Sequence, residues 1–177
     1  AGALSEIATV LNYGALCDGV TNDTPAAVAM LAAVGYVVFP RDRTTVIKNL
    51  ALPDNAKVFS PGTLKLPAGC VDFDRLIHAS GKVGLHIQIS EIDGNYSGQS
   101  GSIGTHLIYL TDCPAPVVIV DNAYSHYIAS AASMPSVDGI RNASSGAIYL
   151  YRCHKSSVII GKLTGWGREG VYLEECN

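Results

Sequence analysis

The sequence predicts an all-β fold in which short strands stack in successive repeats, with one short helix near the N-terminus. Its 18 glycines and 8 prolines separate small clusters of Val, Ile, Leu and Tyr, which is the pattern of short strands joined by turns. A six-residue motif ending in cysteine occurs three times in the second half of the chain. Helical periodicity is convincing at one place only, residues 26–34.

Composition limits the possible partners. The 177 residues are 48% hydrophobic, which is enough for a core that removes roughly 70% of the unfolded surface from water. Only 15% are charged and the net charge is −3, so the chain lacks the basic surface expected for nucleic acid or anionic lipid. The longest apolar run, Ala26 to Phe39, has 14 residues, fewer than the roughly 20 that cross a bilayer. We expect neither a nucleic-acid partner nor membrane insertion.

The cysteines and histidines do not predict a metal site. Five cysteines cannot all pair within one chain, and none forms a Cys-x-x-Cys motif. His78, His86, His106 and His154 show no metal-like spacing with one another. We therefore expect buried apolar thiols, no metal and no cofactor.

The short helix has clear start and stop signals. Thr24 is the expected N-cap, and Pro25 suits the first helical position because its φ is already set. Residues 26–34 follow, and Gly35 ends the helix. Tyr36–Pro40 is then predicted to form a strand.

The repeat is the strongest signal in the chain. Its three copies are Ile108–Cys113, Ile148–Cys153 and Val171–Cys176. The first two are 40 residues apart (108 to 148), and the last two are 23 apart (148 to 171), within the range of one solenoid repeat. The spacing of 40 residues corresponds either to one coil with a long loop or to two coils of which the middle one is degenerate. The Ser-, Ala- and Gly-rich stretch 129–146 favours the loop, and 94–104 is a second such excursion.

Second halves of the repeat match at the same offset. Val117–Val120 corresponds to Ser157–Ile160, and a fainter copy lies upstream at Leu85–Ile89. Strand alternation divides each first half into two faces. The inward set is Ile108, Leu110, Ile148, Leu150, Val171 and Leu173, and the outward set is Tyr109, Thr111, Tyr149, Tyr151, Tyr172 and Glu174. If the coils are adjacent, about 4.8 Å apart, Tyr109, Tyr149 and Tyr172 form a column outside and the cysteines form a ladder inside.

The N-terminal segment resembles a known family. Asn12–Ala15 and Asp18–Thr24, the short helix and Val37–Pro40 are similar to the N-terminal motif of pectate-lyase-like β-helix proteins, and most of all to bacteriophage tailspike depolymerases. The resemblance implies a right-handed parallel β-helix, with a capping segment over residues 1–45 and coils over 46–177. It also makes Asp18 and Asp23 turn residues. Cys17 and the reduced Val34-Gly35 depart from the family pattern.

The tyrosines are the predicted substrate-binding residues: Tyr109, Tyr149, Tyr151 and Tyr172. An exposed tyrosine offers its ring to the flat C–H face of a sugar and its hydroxyl to the sugar's hydroxyl groups. The alternative is that Tyr is simply favoured in strands and packs across them.

Candidate catalytic groups cluster late in the chain. Hydrolysis of a glycosidic bond usually needs two carboxyl groups, whereas elimination or epimerisation needs a base at C5 of a uronic acid and a group that neutralises its carboxylate. Glu174 is the first candidate, because alternation puts it beside the tyrosines, and Glu169 and Arg168 are the others. Tyr124, His126 and Tyr127 form a second group, whereas Asp93 resembles a structural turn residue.

The resemblance implies a homotrimeric tailspike on the virion tail that binds and cleaves bacterial capsular, exo- or lipopolysaccharide by hydrolysis or β-elimination. The alternatives are a bacterial uronan C5-epimerase or secreted polysaccharide lyase, and an adhesin that binds glycan without cleaving it. The chain stops at Asn177 in mid-repeat with nothing like a polar cap, so we expect a piece of a longer molecule, whose active site can lie beyond residue 177.

Overall fold

A computed structural model describes residues 7–70, 74–95, 98, 106–124, 146–164 and 170–177. A short 3-10 turn, Val10–Tyr13, precedes the helix α1, Thr24–Val34. The described residues form twelve strands: β1 (Asp18–Asn22), β2 (Tyr36–Val38), β3 (Thr44–Val46), β4 (Leu50–Ala51), β5 (Lys57–Lys65), β6 (Ile77–Ser80), β7 (His86–Asp93), β8 (His106–Thr111), β9 (Val117–Tyr124), β10 (Gly146–Tyr151), β11 (Ser157–Thr164) and β12 (Val171–Glu174).

The strands belong to two parallel sheets. Sheet A has the order β1-β3-β5-β7-β9-β11, with β2 also paired to β5, and sheet B has the order β4-β6-β8-β10-β12. From β4 onward, each strand lies in the other sheet from the strand before it. Every pairing among the described strands is parallel. The all-β, parallel part of the prediction is confirmed, and the right-handed β-helix stays a prediction.

The repeat has the predicted register. Ile108, Ile148 and Val171 are paired in turn across β8, β10 and β12, and Tyr109, Tyr149 and Tyr172 follow one position later. Because β8 pairs directly with β10, the spacing of 40 residues is a single step of the stack and not two. The second halves also pair as predicted, Val117 with Ser157 and His86 with Val117.

The core lies between the two sheets. Inward-facing residues at one register position, Leu50, Ile77, Ile108 and Ile148, are fully buried and belong to a single hydrophobic cluster. Burying an aliphatic side chain of this size stabilises the fold by about 1.5–3 kcal/mol. Leu173, at an inward position on β12, is 54% exposed.

A repeated corner follows the strands of sheet B. A left-handed φ occurs at the residue that follows each of β6, β8, β10 and β12: 64° at Gly81, 53° at Asp112, 51° at Arg152 and 52° at Glu175. The amides of Gly81, Asp112 and Arg152 each donate to a carbonyl of the next strand in the sheet, at 2.8–2.9 Å. Cys113 and Cys153, just beyond this corner, are fully buried. The predicted internal position of these two thiols is confirmed.

The cap of α1 differs from the prediction. The helix begins at Thr24, and Asp23 occupies the N-cap position, so the prediction that Thr24 caps the helix is wrong. The Asp23 carboxylate instead accepts bonds from the amides of Leu16 and Cys17 at 2.8 and 3.0 Å. Asp18 accepts from Val20 and Thr21. Both carboxylates bond backbone amides, so the two aspartates have the structural role that was expected of them, although Asp18 is the first residue of β1.

Candidate functional site

A column of rings runs along the outer face of sheet B. His78, Tyr109, Tyr149 and Tyr172 occupy one register position on β6, β8, β10 and β12, and all four are half-buried. The Tyr109 and Tyr149 ring centroids are 4.8 Å apart with the planes within 6° of parallel. Those of Tyr149 and Tyr172 are 5.3 Å apart, at 13°. Parallel pairing at strand spacing therefore stacks the tyrosines.

A cation and a second imidazole extend this column. The Arg75 guanidinium carbon lies 3.7 Å from the centroid of Tyr109, which is cation–π geometry. His106, at the start of β8, has its ring centroid 4.8 Å from that of Tyr149. The residue paired with His106 on β10 is Gly146, which places no side chain beside the imidazole. We call Arg75, His78, His106, Tyr109, Tyr149, Tyr172 and Glu174 the aromatic face.

Burial and the charge of Arg75 together set the protonation of the two imidazoles. Burial, and then the positive charge of Arg75, lower the pKa of His106 to about 4. The same two causes lower the pKa of His78. The His106 imidazole is therefore neutral at pH 7, where it can both donate and accept a hydrogen bond. The cation of this face is Arg75.

The only carboxylate that bonds a ring of this face, among the described residues, belongs to Glu174. The Tyr149 hydroxyl donates to Glu174 Oε2 at 2.8 Å. Burial and this carboxylate raise the pKa of Tyr149, so the phenol stays protonated. Arg75 and Glu174 thus contact different rings of the column, Tyr109 and Tyr149.

The described residues contain no cluster of three or more His, Cys, Asp and Glu side chains that could hold a metal ion. None of the helices in the same part of the chain is long and apolar enough to span a membrane.

This chain is similar to a known protein in its structure and matches none by its sequence. No protein-family profile matches the chain, and no curated protein matches it. A crystal structure of a protein from Parabacteroides merdae, named as a candidate glycosyl hydrolase, matches with a TM-score of 0.67 and 17% sequence identity. The match covers 96% of this chain and 80% of that one. The two chains share a fold. At this identity the likeness extends to the fold alone.

The structure brings together most of the predicted site residues. Tyr109, Tyr149 and Tyr172 form the column, and Glu174 contacts it. Tyr151 lies in the next outward column, paired with Glu174, and has the Arg152 guanidinium 4.6 Å from its ring centroid. Tyr124 ends β9 in sheet A, away from this face. The candidates Arg168, Glu169, His126 and Tyr127 lie outside the described residues.

Protein groups cover the faces of the two central rings, and the substrate-binding role of these tyrosines stays a prediction. Tyr109 has Arg75 on its ring and Tyr149 stacked against it, and Tyr149 is stacked between Tyr109 and Tyr172. The faces of these two rings are occupied by protein groups, so their edges and hydroxyls remain to meet a ligand. Asp93 accepts a bond from the amide of Asn95 at 2.7 Å, which confirms its predicted turn role.

The sequence interpretation missed Arg75, His78 and His106 as site residues. The strand β6, Ile77–Ser80, is a further copy of the first half of the repeat and pairs with Ile108–Thr111. Its letters Ile-His-Ala-Ser share little with Ile-Tyr-Leu-Thr, so the copy escapes a search for identity. Aligning buried positions of the two segments would have placed His78 in the tyrosine column.

Proposed function

We propose that the chain is a right-handed parallel β-helix of the pectate-lyase-like kind that binds a bacterial surface polysaccharide on its aromatic face and depolymerises it. The observation that carries this proposal is the Tyr149–Glu174 pair set beside the Arg75–Tyr109 stack. The alternation of strands between two parallel sheets supports the proposed winding. The shared fold with a protein named as a candidate glycosyl hydrolase supports a carbohydrate ligand.

Hydrogen bonding suits this face to a polysaccharide. A glycan chain offers hydroxyl groups that both donate and accept, and a neutral imidazole such as that of His106 does the same. The rings of Tyr109 and Tyr149, with centroids 4.8 Å apart, each carry a hydroxyl. Arg75 supplies a cation for a carboxylate-bearing sugar, and its planar guanidinium can bind a carboxylate through two parallel bonds.

The groups of the aromatic face suit β-elimination. Elimination needs one base together with a cation that neutralises the sugar carboxylate, and Glu174 and Arg75 supply these two groups on the same face. In elimination, Glu174 takes the proton from C5 of a uronate whose carboxylate Arg75 neutralises. The C5–H electron pair forms the C4–C5 double bond, the C4–O bond breaks, and Tyr149 gives its proton to the leaving oxygen. Tyr149 then regains a proton from Glu174 along their hydrogen bond.

The biological setting follows from the family resemblance. We propose a phage tailspike-type receptor-binding protein, a homotrimer on the virion tail, whose partner is capsular, exo- or lipopolysaccharide. The trimer and the virion location rest on that resemblance.

The test is incubation of the protein with a panel of capsular polysaccharides and alginate, following chain length together with ultraviolet absorbance of unsaturated uronate. We expect shorter chains and new absorbance. Glu174→Gln should abolish cleavage and retain binding, and Arg75→Gln should weaken binding of acidic chains. Tyr13→Phe, a change of a tyrosine far from sheet B in sequence, is the control that should do neither.

Other results would change the proposal in defined ways. Shortening without absorbance would replace elimination by hydrolysis. Binding to chains that stay intact would leave an adhesin. Cleavage unaffected by Glu174→Gln would overturn the assignment of the aromatic face as the site.

A further inference from the structure

A second polar concavity lies on the outer face of sheet A, the other sheet from the aromatic face. It is a cleft of about 260 Å³ whose polar lining comes from Asp42, Arg43, Thr44, Thr63, Glu91 and Asn122. Its volume lies just below the range of about 300–1,000 Å³ that is usual for ligand pockets, and it matches a ligand of one sugar ring better than a longer chain.

The cleft is produced by a bend in β5. The pairing of β5 with β7 shifts in register between Ser60 and Thr63, and the buried Ser60 hydroxyl donates to the Gly62 carbonyl at 3.1 Å. Segment 40–43 packs tightly on this bend, because a Cβ at Gly62 would lie 2.5 Å from the carbonyl oxygens of both Pro40 and Arg43. The Thr63 amide donates to the Arg43 carbonyl at 3.0 Å. The cleft is therefore built by the fold and does not depend on mobile side chains alone.

The floor of the cleft is an aligned column of polar side chains. Thr44, Thr63, Glu91 and Asn122 occupy one register position on β3, β5, β7 and β9. The Thr63 hydroxyl donates to Glu91 Oε1 at 2.8 Å, which orients the carboxylate. No side chain of the described residues makes a hydrogen bond to the second carboxylate oxygen of Glu91, Oε2, so this oxygen is available to a ligand.

The charges in the cleft are not paired with each other. Within the described part of the chain, Asp42, Arg43 and Glu91 form no ion pair within 4.0 Å, although all three line the same small cleft. Two carboxylates and one guanidinium give the cleft one excess negative charge. Hydroxyl groups can donate to the carboxylates and accept from the guanidinium and from Asn122. A carboxylate-bearing ligand would meet repulsion.

We propose that this cleft is a second saccharide site that takes a neutral, hydroxyl-rich sugar unit. The Oε2 atom of Glu91 accepts a hydrogen bond from one sugar hydroxyl or from two neighbouring ones. Arg43 and Asn122 donate hydrogen bonds to the oxygen substituents of the sugar ring. The site is separate from the aromatic face, whose cation selects an acidic sugar. A polysaccharide with alternating neutral and acidic units would satisfy both, but each site is testable alone.

The test is an NMR titration of the isotope-labelled chain with methyl glycosides of neutral hexoses, and with glucuronate as the charged counterpart. We expect the neutral glycosides to shift the amide signals of Gly62, Thr63, Glu91 and Asn122 in a saturable way, and glucuronate to bind more weakly. Glu91→Gln removes the charged acceptor and should weaken binding roughly tenfold, since hydrogen bonds to charged groups are the stronger ones.

The matched control is Glu175→Gln, which removes the same charge at the corner after β12 and should leave the titration unchanged. A folded spectrum of each variant separates loss of the site from loss of structure. Absence of shifts at the four cleft amides with every neutral hexoside would overturn the proposal, as would equal affinity in Glu91→Gln or tighter binding of glucuronate. Because the signals are read at sheet A, failure here leaves the aromatic face to its own test.

Discussion

The pKa of His106 makes a quantitative prediction about stability. In the unfolded chain this imidazole titrates near 6.5, and in the folded protein burial and Arg75 lower its pKa to about 4. Below pH 6.5 the unfolded state therefore binds a proton that the folded state does not. Stability contributed by the neutral imidazole is present above pH 6.5 and is lost as the pH falls toward 4. Between pH 7 and about pH 4.5, protonation linked to His106 should lower the free energy of unfolding by about 2 kcal/mol.

The variants that test this are His106→Phe, which keeps a ring against Tyr149, and His106→Gln, which removes the ring. Urea unfolding of each protein at pH 7 and at about pH 4.5 gives the loss of stability with acid. Both variants should lose about 2 kcal/mol less than the parent protein over this interval. Comparing the loss, and not the stability itself, cancels the packing effect of each substitution.

His154→Gln is the control, because it removes an imidazole that is exposed at a corner of the fold. It should not reduce the acid loss by a comparable amount. If the His106 variants lose as much stability as the parent protein, the low pKa is wrong, and burial and Arg75 do not act on this ring as described. Direct titration of the His106 ring by NMR would then report a midpoint near 6.5, and Arg75→Gln would leave it unmoved.

Three further predictions concern packing and charge. Leu150→Ala should cost about 2–5 kcal/mol in urea unfolding, whereas Leu173→Ala, at the paired position but 54% exposed, should cost less than about 1 kcal/mol; equal losses would contradict the burial difference. Gly161→Ala puts a Cβ 2.5 Å from the Asp121 carbonyl oxygen and should lower the free energy of unfolding by about 1–3 kcal/mol. Gly81→Ala places its Cβ where no atom lies within 4 Å, so it should cost only the strain of a left-handed φ, about 1–2 kcal/mol. Thermal melts of the two variants then compare backbone strain alone with a steric clash. Breaking the exposed Asp112–Arg152 pair, 2.7 Å long, by Asp112→Asn should cost at most about 1 kcal/mol, and the loss should disappear in 1 M salt.

The strand register was predictable because the same short motif recurs along the chain, and equivalent positions of the copies pair with one another. Ile108, Ile148 and Val171 lead three similar segments, and period-two alternation then assigns every following side chain to a face. The tyrosine column and the position of Glu174 beside it follow from that register. The roles of Asp18 and Asp93 also follow locally, since their short acidic side chains bond amides two or three residues away.

The helix cap shows a limit of local reasoning. Thr24 has a suitable side chain for a cap, but its hydroxyl bonds Asn22 and the Lys48 backbone. Asp23 takes the N-cap position with its carboxylate directed to the amides of Leu16 and Cys17. Contacts with other segments therefore decided that the helix begins at Thr24 and not after it. The sequence pattern near the helix start does not show these contacts.

By itself, then, the sequence determined the parallel strands, their inner and outer faces and the aligned tyrosines, because these depend on alternation and repetition. The tertiary structure decided the chemistry of the two candidate sites. Arg75, two residues before β6, reaches the Tyr109 ring from a segment with little sequence likeness to the other copies, and Gly62 lets segment 40–43 pack onto the bend that forms the cleft. The pKa of His106 and the coverage of the central ring faces depend on which side chains stacking brings within a few ångströms, and electrostatic and dispersion forces act over that distance whatever the separation along the chain.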